Sequence, residues 1–279
     1  FLALAAALLP GAAALRMSPD EEQLAQALDA RPAGKAYRQQ LGNIGDMQYF
    51  GDMDIGGQPL KAIFDTGSFE LVVFSAFCPN CGVAGEYNEQ SSATFQQGKI
   101  TKTHAYGSGS CEAQDGYDTV QVGTVTAEKQ AIWVANDCKI PLLSQASFNA
   151  IAGLGPPGQP AFTAESQVRQ LEQLEARFKD SNEKVPEELL KAKEQAVTEL
   201  EAAQSKHELL DTMGVQTVST CLGRAPGSPG YLIWNDKTRA GRPGVQQVPV
   251  AGNITWGIAV QGLSMEFSPS DSVDVSTLT

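Results

Sequence analysis

The chain has 279 residues, 42% of them hydrophobic and 19% charged, which excludes a disordered or fibrous polypeptide and fits one large domain or two ordinary ones. A net charge of −12 at pH 7 argues against a nucleic-acid phosphate surface as partner. Two histidines, His104 and His207, leave little room for a His-rich metal site or a Ser-His-Asp triad, while 27 glycines and 15 prolines lean towards an all-β fold.

Residues 1–15 form an apolar run of small side chains. It is too short to span a bilayer and fits the hydrophobic region and cleavage zone of a secretory signal peptide, although a basic leading segment is missing. An apolar core helix is the alternative. Residues 16–46 read as a propeptide or N-terminal arm, polar and mildly helical through residue 43. From Met47 the texture is β. Tyr49–Pro59 predicts a strand with a Gly56-Gly57 turn, Leu60–Phe64 its hairpin partner, and Leu71–Phe74 a buried strand. Ser91–Phe95, Tyr117–Val122 and Ala131–Val134 continue the β pattern. Residues 163–212 change texture: Val168, Leu171, Leu174 and Phe178, then Leu189, Ala192, Ala196, Leu200 and Ala203, sit at helical spacing. Pro186 belongs at the first turn of a second helix, so the stretch reads as an inserted helical hairpin, solvated and laced with i,i+4 charge pairs. Val215–Leu222, Tyr231–Trp234, Val245–Val250 and Trp256–Leu263 return to strands.

Phe64-Asp65-Thr66-Gly67-Ser68 carries the chemistry. An apolar strand delivers a carboxylate into a Gly-containing turn. Taken alone, such a turn is as well explained by Asp and Thr bonding local backbone. Its surroundings decide otherwise. Tyr49–Pro59, Ser91-Ser92-Ala93-Thr94-Phe95, Tyr106-Gly107-Ser108-Gly109-Ser110, Gly116–Gly123, Ala150–Gly155, Val218–Gly223 and Val248-Pro249-Val250 follow in an order that resembles the pepsin-like aspartic proteases over about residues 47–265, apart from the helical insert.

The resemblance implies a mostly β fold of the pepsin type, a bilobal β-barrel architecture with the second lobe incomplete: an N-terminal lobe at 47–162, the hairpin at 163–212, and inter-lobe strands with the start of a second lobe at 213–279. It implies an aspartic endopeptidase with no cofactor and no metal, acting on peptide or protein substrates, with no nucleic-acid partner and no membrane span once the signal is removed. The complete protein is expected to be a monomer of the secretory pathway, extracellular or in a lysosome or vacuole. Asp65 is then one of two carboxylates that share a proton, Thr66, Gly67 and Ser68 form its loop, and Tyr106, Gly107 and Ser108 form a flap over the substrate. Three positions depart from the family pattern: Phe69 stands where Ser is usual, Val72 where a Trp bonds the flap Tyr, and Asn149-Ala150 where Asp-Gly is expected. No second Asp-Thr-Gly or Asp-Ser-Gly occurs after Ser68. The chain therefore reads as truncated and inactive alone. The alternative is a catalytically inactive pepsin-like protein that binds peptides or proteins.

Cys78-Pro79-Asn80-Cys81 reads as a small-loop disulfide in an exported chain, or else as a metal or redox CxxC. The resemblance also places a bridged loop there. Cys111 and Cys138 flank the strands after the flap and are expected to pair, leaving Cys221 over. Asn253-Ile254-Thr255 is a glycosylation sequon. His104 and His207 read as surface or locally hydrogen-bonding residues rather than ligands.

Overall fold

A computed structural model describes residues 4–5, 36–238, 241–251, 255–260, 264–268 and 271–274. Most of the leader-like run 1–15, residues 16–35 and the sequon residue Asn253 lie outside the described residues. The chain divides into two units. The larger holds residues 32–245, and the smaller combines 1–31 with 246–279. In the smaller unit, strand β1 (Leu4–Ala5) pairs antiparallel with β12 (Ser264–Ser268), which pairs in turn with β13 (Asp271–Asp274).

The larger unit is built on a ten-stranded mixed sheet. In chain order its strands are β2 (Tyr37–Ile44), β3 (Gln48–Ile55), β4 (Gln58–Asp65), β5 (Leu71–Phe74), β6 (Gln96–Tyr106), β7 (Gly109–Val122), β8 (Val125–Lys139), β9 (Ala150–Gly153), β10 (Val218–Leu222) and β11 (Gly230–Trp234). Across the sheet they run β10-β11-β2-β3-β4-β9-β5-β8-β7-β6, and β3 also touches β7. The β3/β4 hairpin turns through Gly56 and Gly57, whose φ values of 62° and 77° only glycine adopts readily. The central strands β5 and β9 are buried at every position, which is why Leu71–Phe74 and Ala150–Gly153 read as continuous runs of apolar or small residues. One apolar cluster, with Ile55, Leu71 and Trp234, lies on one side of the sheet; a second, with Val72, Phe74 and Leu143, lies on the other.

Helices α1 (Gln159–Asp180) and α2 (Glu187–Ser205) form the expected hairpin, and the short α3 (Leu209–Thr212) follows. Pro186 caps α2 rather than sitting in its first turn. The reversal between them is held by Asn182 at φ 56° and by Glu183 N–H donating to the Phe178 carbonyl at 2.9 Å. Lys193 of α2 reaches Glu175 of α1 at 2.9 Å. Leu209, Leu210 and Met213 belong to the main core, so the insertion proper ends at α2 and does not extend to residue 212.

Four expected elements differ from the observed ones. Residues 37–44 are a strand, not the end of a helical arm: β2 lies between β11 and β3, and its alternation is disguised because the inward residue Gln39 is polar. Gln39 is satisfied there by Trp234 Nε1–H, which donates to its Oε1 at 3.0 Å, and by the Asp52 carbonyl at 2.6 Å. Ser91–Phe95 is a turn. Ser92 and Thr94 turn their hydroxyls onto the buried carboxylate of Asp118, which also accepts from Tyr87 Oη at 2.6 Å, and local side-chain bonds win over a ladder. Val245–Val250 is irregular. So are residues 255–260, and the strand expected at Trp256–Leu263 is found instead at Ser264–Ser268. Apolar content alone made those stretches look extended, and no described strand pairs with 245–250.

Candidate active site

Asp65 is the last residue of β4. Parallel pairing with β9 sets it opposite Gly153, and Leu154 N–H donates to the Asp65 carbonyl at 2.7 Å. The turn beyond it is closed by Gly67 N–H on Asp65 Oδ1 at 2.8 Å and by Gly155 N–H on the Ser68 carbonyl at 2.8 Å. Gly153 and Gly155 are required by crowding. A Cβ on Gly153 would meet the Phe69 backbone nitrogen at 2.5 Å, and one on Gly155 would meet the Phe69 ring at 2.4 Å. This explains Phe69: its ring fills the space above Gly155. Asp65 is half-buried, Thr66 and Gly67 are exposed, and the buried Ser68 Oγ has no partner.

Strands β6 and β7 form a long hairpin ending in Tyr106-Gly107-Ser108-Gly109, with Tyr106 opposite Gly109. Gly109 has φ 143° and a Cβ there would strike the Lys139 carbonyl, so the tip needs glycine. Gly107 and Ser108 are exposed. Tyr106 packs on the apolar cluster that contains Val72. Burial raises its hydroxyl pKa, and the charges of Glu70 and Asp65 raise it further, so the flap tyrosine and the carboxylate lie in one electrostatic neighbourhood.

Glu70 is a site residue that motif reading missed. Its Oε1 accepts from Lys102 Nζ at 2.9 Å, and its Oε2 lies 3.4 Å from His104 Nδ1. Burial would raise its pKa, but the His104 bond and the Lys102 charge outweigh it and hold the carboxyl at about 2. His104 is only 7% exposed, and its ring meets Trp133 edge-on at 4.9 Å. The usable signal was the period of two along a strand, which puts Lys102, His104 and Tyr106 on one face of β6.

Cys78–Cys81 and Cys111–Cys138 are disulfides, and Cys221 is free and exposed. The bridges lie together: the sulfurs of Cys78, Cys81 and Cys138 are within 4.8 Å of one another, so the one cluster of metal-type ligands among the described residues is made of bonded sulfurs. Asn80 joins the loops, accepting from Cys138 N–H at 2.8 Å and donating to Asp137 at 2.6 Å. No helix among the described residues is long and apolar enough to cross a membrane.

A Gly-supported carboxylate turn, clamped by a parallel strand and faced by a tyrosine-tipped hairpin, is the arrangement that the resemblance to the pepsin-like aspartic proteases leads one to expect. The family model for eukaryotic aspartyl protease matches residues 48–179, a little under half of the chain. Pepsin A of Rhinolophus ferrumequinum is 41% identical over 123 residues, which are 43% of this chain and 32% of the relative. Pepsin A of Suncus murinus is 40% identical over the same shares, and Pepsin-3 of Oryctolagus cuniculus 37% identical over 121 residues, 42% of this chain and 31% of the relative. The chain spans about a third of the length of the curated relatives it matches.

Proposed function

We propose that the protein is an aspartic endopeptidase in which Asp65 is one of the two catalytic carboxylates. The observation that carries this reading is the placement of Asp65 on a turn held by Leu154 and Gly155 and electrostatically coupled to Tyr106. Its partner carboxylate comes from a second Asp-Thr-Gly or Asp-Ser-Gly segment outside these 279 residues. One carboxylate takes a proton from water as the oxygen attacks the peptide carbonyl, and the other, protonated, donates to the carbonyl oxygen. Tyr106, Gly107 and Ser108 close over the substrate. The two disulfides and the apolar run 1–15 support a secretory-route protein, outside the cell or in a lysosome or vacuole. The two-carboxylate reaction itself needs no metal or organic cofactor.

The natural protein carrying this chain should hydrolyse peptides in the acid range and be inhibited by statine-type peptides. Asp65→Asn should lower turnover by about a hundredfold or more. Unchanged turnover in that variant would sink the reading. A second reading is a binding protein that keeps the cleft without the chemistry. It is favoured by Val72, which leaves Tyr106 packed on an apolar cluster instead of bonded to a Trp, and by Phe69 beside the catalytic turn. Peptide binding with no turnover in the unaltered natural protein selects it.

A further inference from the structure

We propose that the cavity between the helical hairpin and the stem of the flap is an accessory site that seats a segment of substrate main chain beyond the part held at Asp65; this rests on the endopeptidase reading above. The cavity holds about 510 Å³, within the range of real ligand sites. Two of its walls adjoin the candidate site along the chain. Phe69–Leu71 follows directly on the catalytic turn, and Ile100–Thr103 lies on the strand that ends at Tyr106. The opposite wall is the insert, through Thr163 and Ala164 of α1 and Ala202 of α2, and Trp133 lies beneath.

One polar group in this lining lacks a partner. Gln130 is 1% exposed, and its Nε2 donates to the carbonyls of Ala131 at 3.0 Å and His207 at 3.1 Å. Two carbonyl acceptors fix the amide orientation, so the unpartnered buried atom is the Oε1 acceptor. Two ammonium groups stand nearby. Lys102 and Lys206 are 5.6 and 4.3 Å from the Trp133 ring centre, each held by one carboxylate, Glu70 at 2.9 Å and Asp115 at 2.8 Å. An ammonium carries three donors and each of these bonds uses one. Glu208 also lines the cavity, and burial above all raises its pKa to about 7, so in acid it is a neutral donor.

The charge pattern chooses the occupant. Both ammoniums are already neutralised by Glu70 and Asp115, so these pairs favour neither an anion nor a cation. What remains is a fixed acceptor, several donors and apolar surface at Ile100, Ala164 and Ala202, which matches a neutral main chain with its N–H and C=O groups.

The test uses the full natural protein and two fluorescein-labelled peptides bearing a reduced, non-hydrolysable bond: a short core, and the same core extended by several residues at both ends. Fluorescence anisotropy gives the ratio of the two affinities within each variant. The unaltered protein should bind the extended peptide about tenfold more tightly, the scale of one or two net hydrogen bonds. In Gln130→Leu, which removes the acceptor, and in Thr163→Trp, which fills the cavity from an exposed helix position, that ratio should fall to about one. Gln130→Leu removes a buried amide, whereas Thr163→Trp alters an exposed side chain and gives up one hydrogen bond, that from Gln159 at 3.0 Å, so a folding failure in the first leaves the second decisive. Core binding with no gain from extension, or a gain retained in Thr163→Trp, overturns the inference alone. No binding of either peptide overturns the endopeptidase reading as well.

Discussion

At the scale of single residues, the site rests on what is missing as much as on what is present. Gly153 is tolerated next to Asp65 only because it has no Cβ. Gly153→Ala would force a carbon to within 2.6 Å of three backbone atoms of Phe69 and Glu70, none of which can swing aside. It should destabilise the fold by about 2 kcal/mol, read as a lower midpoint in urea denaturation. Glu70 works in the other sense. Its folded-state pKa is depressed from the ordinary 4.5 to about 2, so the stability it contributes is fully present above 4.5 and is lost as pH falls through 2. Glu70→Gln should therefore be less stable than the unaltered protein at pH 6, with the gap narrowing between pH 4.5 and 2. A gap that stays constant over that window would show that the Lys102–Glu70–His104 cluster is not what lowers the carboxyl. The four disulfide cysteines were legible in the sequence, Cys78 and Cys81 by their spacing and Cys111 and Cys138 by their place beside the strands after the flap, and Asp65 and Tyr106 stood out as candidates because each sits in a motif. Glu70 was not, because its partners come from a strand some 30 residues away and a carboxylate beside a turn has no motif of its own.

At the scale of elements, the helical hairpin is the feature that periodicity revealed best, and its C-terminal boundary the one it misjudged. The charged face of α1 and α2 is tied by Lys179–Glu175 and Lys191–Glu187, i,i+4 pairs on mostly exposed side chains that contribute only tenths of a kcal/mol each. Replacing residues 165–203 with a short Gly/Ser linker should leave the cooperative β transition intact by circular dichroism, because a surface insertion carries little loop-closure cost. Leu209→Ala is the contrasting case. Leu209 is fully buried in the main core, and its truncation should cost about 2–5 kcal/mol in thermal or urea unfolding. Helical spacing alone could not separate α3 from the insert, since a core helix and a surface helix share the same period. Strand β2 failed for the opposite reason. Its inward Gln39 is satisfied by Trp234, far along the chain, and a local reading sees only a polar residue in a polar stretch.

At the scale of the whole molecule, the ordered run of motifs was enough to expect β3, β4, the flap strands and β9 together, and they share one sheet, since order along a chain constrains topology more tightly than any one motif does. What it could not supply was the packing of an insert that has no counterpart in that order, and with it the cavity against Trp133. Peptide mapping without reductant should recover Cys78–Cys81 and Cys111–Cys138 as the linked pairs, with Cys221 alkylated. A link between Cys221 and any of the four would contradict the arrangement. The pairing of β2 with β11 has a further consequence, for synthesis. Gln39 and Trp234 are 195 residues apart, so as the chain emerges from the ribosome one edge of the sheet stays open until the last strand of the lobe appears. The helical hairpin, made entirely of local contacts, is complete well before then. The nascent lobe therefore waits with β2 uncovered and Gln39 facing water. Chains stopped short of residue 230 should associate through that edge, whereas chains released after Trp234 should not.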